Sequence, residues 1–520
     1  MKYIEKVILH NFKRFNDLEL LLNKSLNILI GANEAGKSSI LTAINLVLSG
    51  SRSQFEAIGA ERLIRAEAVS AFLASKKNYN DLPIMFIELW FNEQNNFQLN
   101  GKNNCKSQEH DGLRLECSPD QSLGEEIKEI LKSDDPIFPF DYYTVKFTTF
   151  QGDGYSGYKK FLRHIVIDTA QIGSDYAVRD YVNSMYDAHI VGTEYNKHQY
   201  EYRKSKQTFR QTALASLNQR LPSYAFSIKS DTKTNLRTDL TLLEDDIPVD
   251  NRGKGRQCFV KTDFALSRTK NNNKLDVVLL EEPENHLSHI NMSRLIGKIR
   301  ASDDQQLIIA THSNLIASRL DLRNAILLHT SGVKAMTLAN LSSDTAKFFL
   351  KAPDHGILDF ALSQKVILVE GDAEYILMDR LFKQVTDNKP HDVGVYIMAV
   401  DGLTFKRYLD IAKILGGKVA VLRDNDMDHQ VNCVDRYADY VGSNINVFAD
   451  PDNDRHTFEI CIYQDNKELC EKKFAAGRRT LTTQDYMLKN KTEAALALLE
   501  ADEELTCPDY VVRAVKWITA

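Results

Sequence analysis

The first residues suited to chemistry are Gly31, Gly36, Lys37 and Ser38, in the stretch Asn27-Ile28-Leu29-Ile30-Gly31-Ala32-Asn33-Glu34-Ala35-Gly36-Lys37-Ser38-Ser39-Ile40. Their spacing is G-x-x-x-x-G-K-[ST], the pattern of a phosphate-binding loop between a strand and a helix. Glycines let backbone N–H groups curl around phosphates, and the helix N-terminus that follows favours negative charge. Lys37 can reach β- and γ-phosphates, and the Ser38 hydroxyl can ligand magnesium. Asn33, Gly36, Lys37, Ser38 and Ser39 are therefore the candidate contacts for ATP with Mg2+. A plain glycine turn before a core helix is the alternative, and the flanking strand and helix patterns argue against it.

A second pattern lies far downstream. Four apolar residues, Val277 to Leu280, run into Glu281 and Glu282, and Gln306 to Thr311 run into His312. One glutamate can hold magnesium, directly or through water, while the other orients or deprotonates an attacking water. An acidic helix N-terminus beginning near Pro283 is the alternative. A histidine at the end of such a strand can touch a γ-phosphate. Upstream, Asn251-Arg252-Gly253-Lys254-Gly255-Arg256-Gln257 precedes a helix with Phe259, Val260, Phe264 and Leu266, a weak anion site on its own. Gln151, at the end of a strand expected over 142–150, is a weaker candidate for sensing the nucleotide's metal.

A third cluster is carboxylic. Lys365 to Val369 reads as a buried strand followed by Glu370-Gly371-Asp372-Ala373-Glu374. Lys418 to Leu422 reads as another, followed by Asp424-Asn425-Asp426-Met427-Asp428. A helix start at 371 puts Glu370 and Glu374 on one side, and Asp424 and Asp426 face the same way if the chain there is extended. Ligands gather at the carboxyl ends of such strands. Carboxylates converging there would repel one another unless a cation sat between them, and oxygen donors suit Mg2+ or Mn2+. The alternative is an acidic loop with a solvated face.

The elements that must position these groups are legible in outline. Strands are expected at 3–9, 18–22, 84–91, 113–117 and 393–400, and a basic turn at Asn11-Phe12-Lys13-Arg14-Phe15. Ile40, Leu41, Ile44, Leu46 and Val47 are spaced for one buried helix face. Residues 176–222 turn helical, polar and tyrosine-rich, with Lys197, Arg203, Lys204, Lys206 and Arg210 near Tyr195, Tyr200 and Tyr202. Basic side chains among aromatics can bind nucleic acid, but a solvated hairpin pairing two subunits is the preferred reading. Residues 351–356 read as a linker.

With 520 residues the chain is long enough for two or three domains. A net charge of −6 confines any nucleic-acid surface to a local patch. None of the seven cysteines forms a C-x-x-C pair, which argues for a reducing cytoplasm and against a zinc site. No apolar run reaches membrane-spanning length, and no signal peptide begins the chain.

The order phosphate loop, glycine signature, strand-Glu-Glu and strand-His resembles the ABC-type ATPase heads of the SMC/RecF group. The strand-E-G-x-x-E and strand-D-x-D pair resembles the Toprim domain. Together in one chain they resemble the OLD (overcoming lysogenization defect) family over nearly the whole length. The resemblance implies an α/β fold: an ABC-type ATPase head over 1–350 with a helical dimerisation insert at about 176–222, then a Toprim domain over 360–520 with C-terminal helices. It implies that Glu281 assists the metal and Glu282 is the base. Gly253 and Gly255 would act in trans in a homodimer or higher oligomer, and His312 would be the switch histidine. Two departures stand out: Glu281 replaces the usual metal aspartate, and the signature is not L-S-G-G-Q. For the Toprim part the implied set is Glu370, Glu374, Asp424, Asp426 and Asp428, with Glu459 as a further metal ligand and Lys491 as a transition-state cation.

The implied activity is an ATP-hydrolysing, metal-dependent DNA endonuclease or nickase, with an antiphage role implied by the family alone. The chain length suits members that accompany a retron reverse transcriptase and its DNA–RNA product. An ATP-driven DNA clamp with a non-catalytic Toprim domain is the rival. A topoisomerase would need a tyrosine gate domain, and a DnaG-type primase a cysteine zinc module. Neither is legible here.

Overall fold

The computed structural model describes residues 2–520 apart from 94, 134–136, 158, 160, 169–181, 184, 187–189, 191–192, 222, 232–234, 267–274, 286, 302–304, 330–334, 352–355, 401–403 and 476–480. The start of the expected helical insert and most of the expected linker lie outside the described residues. The chain divides into two compact units, Met1–His312 with Leu328–Ala335, and Ser313–Leu327 with Met336–Ala520. Residues 336–350 pack with the second unit, where the Arg407 guanidinium donates to Thr345 Oγ1 at 2.9 Å. Among the described residues no helix is long and apolar enough to cross a membrane.

The principal elements of the first unit are β1 (Ile4–Phe12), β2 (Phe15–Leu21), β3 (Leu26–Gly31), α1 (Lys37–Ser49), β4 (Met85–Phe91), β5 (His110–Pro119), β6 (Tyr143–Thr149), β7 (His164–Asp168), α2 (Glu194–Gln211), α3 (Lys254–Leu266), β8 (Val277–Glu281), α4 (His289–Arg300) and β9 (Gln306–Thr311). One sheet is antiparallel in the order β2-β1-β4-β5-β6. The other is parallel in the order β3-β9-β8-β7. Val277–Leu280 and all of β9 are buried, the near-continuous apolar signature of a sheet covered on both faces. The expected apolar stripe of α1 is realised, with Ile40, Leu41, Ile44, Leu46 and Val47 all buried.

In the second unit β10 (Lys365–Val369), α5 (Asp372–Thr386), β11 (Val395–Ala399), α6 (Phe405–Leu415), β12 (Lys418–Leu422), β13 (Ile445–Phe448), α7 (Phe458–Asp465), α8 (Lys491–Leu499) and α9 (Asp509–Thr519) follow in order. The sheet is parallel, β11-β10-β12-β13. Ala373, Leu377, Met378, Leu381 and Phe382 recur at helical spacing on α5 and share one core with Ile367 and Val369 of β10. Val511, Ala514, Val515 and Ile518 of α9 close that core. All strands of this sheet therefore end on the same edge, which fixes where chemistry belongs.

Candidate functional site

The first site forms where β3 enters α1. Gly36 caps the helix with φ +97°, a left-handed conformation, and a Cβ there would collide with the Phe15 ring. Only glycine combines that backbone with that approach. Lys37, the first residue of α1, is buried, and its Nζ donates to the carbonyls of Gly31 (2.6 Å) and Ala32 (3.1 Å). Burial lowers its pKa, while Glu282, Glu284 and Glu281 pull the other way. The ammonium is thus held under the loop, facing acids from the ends of neighbouring strands.

Parallel register supplies those acids. Glu281 ends β8, opposite Ala310 of β9 and Asp168 of β7. Burial raises the Glu281 pKa, and a hydrogen bond from Ser38 opposes that rise. Ser38 and Glu281, 243 positions apart by number, therefore meet as the magnesium-ligating pair of a phosphate loop would. Glu282 turns away with φ 44°, left-handed, its N–H bonded to Ala310 O (2.8 Å). Asn285 Nδ2 donates to Glu282 Oε2 at 2.8 Å. The segment after Pro283 is a turn, and the helix expected under the alternative reading starts only at His289.

His312 lies 3.5 Å through Nδ1 from Glu282 Oε1 and 3.5 Å from Glu284 Oε1. Nothing in the local sequence marks Glu284. Its Oε1 accepts from Thr311 Oγ1 (2.6 Å) and His312 N (3.1 Å), so it fixes the turn that presents His312. A cavity of about 280 Å³ is lined by residues 33–39, Glu282, Lys13 and Arg14. Asn33, Gly36, Lys37, Ser38 and Ser39 all line it; Gly253, Gly255 and Gln151 do not. Gly253 directly precedes α3 and Gly255 lies in its first turn. Buried Gln257 donates to Asp250 O (3.0 Å) and Arg252 O (2.8 Å), folding that loop. The side chains of Phe264 and Leu266 lie outside those described. The basic turn of Lys13 and Arg14 lines the same cavity, placed there by the hairpin pairing of Phe12 with Phe15.

The second site sits at the carboxyl edge of the Toprim-like sheet. Glu370 follows β10 directly, and Glu374 falls in the first turn of α5. Asp424 follows β12 by two residues, Glu459 lies in the first turn of α7, and Lys491 begins α8. Asp424 N donates to Glu370 Oε2 (3.4 Å), and Asp424 Oδ1 accepts from Phe458 N (2.8 Å). Lys491 Nζ stands 3.0 Å from Glu459 Oε2. Burial, then Glu374, Glu370 and Glu459, push Asp424 up to about 8. Burial, then Glu459 and Glu370, push Glu374 to about 7 against Lys491. Burial also raises Glu370, with Arg423 opposing. For Lys491 burial lowers the pKa, but Glu459, Asp424 and Glu374 outweigh it and the net direction is up.

The structure thus brings together Glu370, Glu374, Asp424, Glu459 and Lys491. Asp426 does not follow the extended path expected, because Asp426 (φ 49°) and Met427 (φ 67°) are both left-handed, but it still lies near enough to Glu370 to push that carboxyl up. Asp426 lies at the rim, half exposed, 3.2 Å from the Arg423 guanidinium. Asp428 is exposed and accepts from Val431 N (3.1 Å), capping the next turn instead of joining the cluster. Buried Asn425 braces this loop, an unrecognised role: its Nδ2 donates to Asp450 O (2.9 Å) and Asp452 O (2.8 Å), and its Oδ1 accepts from Met427 N (2.9 Å).

The donor set suits a hard divalent cation in its chemistry: oxygen only, mutually repelling, with buried Glu459 Oε1 lacking a hydrogen-bond partner. Yet no group of three His, Cys, Asp or Glu side chains among the described residues converges closely enough to hold a metal ion. The acids lie near enough to raise one another's pKa, and Lys491 pairs with Glu459.

Comparison with known proteins defines the class. Residues 6–146 match the model of an AAA domain, and residues 362–426 match the Toprim domain of overcoming lysogenization defect protein-like proteins. The chain therefore joins an AAA-type domain to an OLD-like Toprim domain in a mixed α/β fold. This pairing fits the OLD family of ATPase–Toprim proteins. A stretch of 52 residues, 10% of this chain, is 48% identical to structural maintenance of chromosomes protein 6 of Saccharomyces cerevisiae, and it spans 5% of that protein's length. Among solved structures, an Smc head bound to the C-terminal winged-helix domain of ScpA is 16% identical, with 65% of this chain and 100% of that one covered and a TM-score of 0.37. The SMC head domain of Thermotoga maritima is 13% identical, covering 64% and 97%, with a TM-score of 0.30.

Proposed function

We propose that this protein is an ATP-hydrolysing, metal-dependent DNA endonuclease or nickase. The observation that carries the reading is the convergence of Glu370, Glu374, Asp424 and Glu459 with Lys491 at one sheet edge, in a chain that also holds Ser38 against Glu281 beside a phosphate loop. In the first site the loop N–H groups and Lys37 hold the β- and γ-phosphates. Glu281 supports Ser38, Glu282 takes the proton of the attacking water, and Glu284 holds His312 towards the γ-phosphate. Gly253 and Gly255 stand outside the cavity of their own chain, which suits action across a homodimer.

In the second site a bound divalent cation supplies charge neutralisation and a nucleophile at neutral pH. Asp424 and Glu370, tied through the Asp424 N–H, orient the attacking water. Lys491, 3.0 Å from Glu459 Oε2, would neutralise charge on the phosphodiester, and Glu459 would be a further oxygen donor to the cation. An antiphage setting and a reverse-transcriptase partner rest on resemblance and chain layout. Incubation of plasmid with the protein and Mg2+ or Mn2+, with and without ATP, tests the reading: nicks or breaks that vanish with chelator support it. A second reading, an ATP-driven clamp with a non-catalytic Toprim domain, is favoured by the absence of a closed three-ligand group among the described residues. It predicts ATP hydrolysis with intact plasmid in every condition.

A further inference from the structure

The helix α2 is 18 residues long and buries none of them. Its half-buried positions are Tyr195, Gln199, Tyr202 and Lys206, one stripe at helical spacing. Chain from the same unit already covers that stripe. Lys206 Nζ donates to Lys229 O (2.9 Å), Arg237 stacks over the Tyr195 ring (5.0 Å), and Tyr202 bonds to Asp239.

At 100° per residue, the rest of the helix sorts by charge. An arc of about 140° holds Arg210, Arg203, Tyr200, Lys204 and Lys197, together with Asn196, Gln207 and Gln211. It contains no acid. Glu194 and Glu201 fall beyond its border, where Glu201 approaches Lys204 to 4.0 Å. Lys197, Arg203 and Arg210 are exposed and make no side-chain hydrogen bond or ion pair among the described residues. A merely solvated helix face usually interleaves both signs. Here four cations and three amides line one face of a chain whose net charge is −6.

We propose that this arc of α2 is a docking surface for the phosphate backbone of duplex DNA, separate from the acidic centre. Lys197 to Lys204 and Arg203 to Arg210 are each seven residues apart, so like cations repeat about every 10.5 Å along a rod of about 27 Å. Long cationic and amide side chains are the chemistry of phosphate contacts, which position a duplex without reading its sequence. Single-strand binders present successive aromatics, and this arc exposes one, Tyr200 at 60%. A second copy of the chain is disfavoured as occupant, because a twofold pairing would set cations against cations on a face with no apolar patch. The choice of DNA rests on the nuclease reading above; the sorting of charge does not.

The test compares the full-length protein with a Lys197→Gln/Arg203→Gln/Lys204→Gln/Arg210→Gln variant, by anisotropy of a fluorescein-labelled duplex across a salt series. The slope of log affinity against log salt should fall by about 3–4, at about 0.9 for each phosphate no longer neutralised. ATP hydrolysis and thermal midpoint should be unchanged. Should the quadruple variant fold poorly, the pairs Lys197→Gln/Lys204→Gln and Arg203→Gln/Arg210→Gln should each lower the slope by about 2. An unchanged slope overturns the proposal. So does a loss seen only with a single strand, or a loss that follows a change of oligomeric state in light scattering. Wild-type protein that binds with the full slope but cuts no plasmid sinks the nuclease reading and leaves the docking surface standing.

Discussion

Glu281 and Glu282 are sequence neighbours with different fates. Glu281 completes its strand and meets Ser38, while left-handed Glu282 points to the cavity that Lys37 and the phosphate loop line. Replacing Glu282 by Gln keeps the size and removes the base. ATP hydrolysis should fall by about 100-fold or more while ATP still binds. Hydrolysis and equilibrium nucleotide binding on one preparation check this, and loss of turnover in Glu281→Gln but not in Glu282→Gln would exchange the two roles. Lys37→Ala removes the cation held directly under the loop and should abolish both nucleotide binding and hydrolysis. A variant that hydrolyses ATP at the wild-type rate would remove the phosphate-loop assignment.

At the scale of elements, the acid centre is built by strand ends and helix starts, which leaves carboxyl groups buried and crowded. Asp424 near 8 and Glu374 near 7 retain protons in the folded state that an unfolded chain releases near pH 4. The folded state then binds more protons, so metal-free stability should fall as pH rises from about 4 through about 8. Divalent metal should offset the loss by favouring the ionised acids. Melting temperatures at about pH 5.5 and about pH 8.5, with chelator and with Mg2+, check the sign: the Mg2+-induced rise should be larger at the higher pH. Strand order and apolar runs made most of this legible, because β10 and β12 declare their ends in Glu370 and Asp424. The path after Asp424 was not legible. Two consecutive left-handed residues depend on Asn425 reaching the carbonyls of Asp450 and Asp452, 25 and 27 positions away, and a local pattern carries no such tertiary brace. Glu284 is illegible for the same reason, since its partners Thr311 and His312 lie at and just past the end of another strand.

At the scale of the whole molecule, the two candidate sites draw on two sets of acids. Glu281 and Glu282 belong to the first compact unit, and Glu370, Glu374, Asp424 and Glu459 to the second. Glycine spacing and strand ends announce Glu281, Glu282, Glu370, Glu374 and Asp424 in the sequence, whereas Glu459 is implied by the family resemblance alone. The sorting of charge on α2 emerges only once the helix and its covered stripe are known. The central claim is that the second set cuts DNA while the first hydrolyses ATP. It is tested most directly by Asp424→Ala, with plasmid nicking and phosphate release measured on the same preparation in Mg2+. Removing this carboxylate should misplace both metal and attacking water, so nicking should fall by about 100-fold or more while phosphate release stays within about twofold of wild type. Wild-type nicking by Asp424→Ala would contradict that claim.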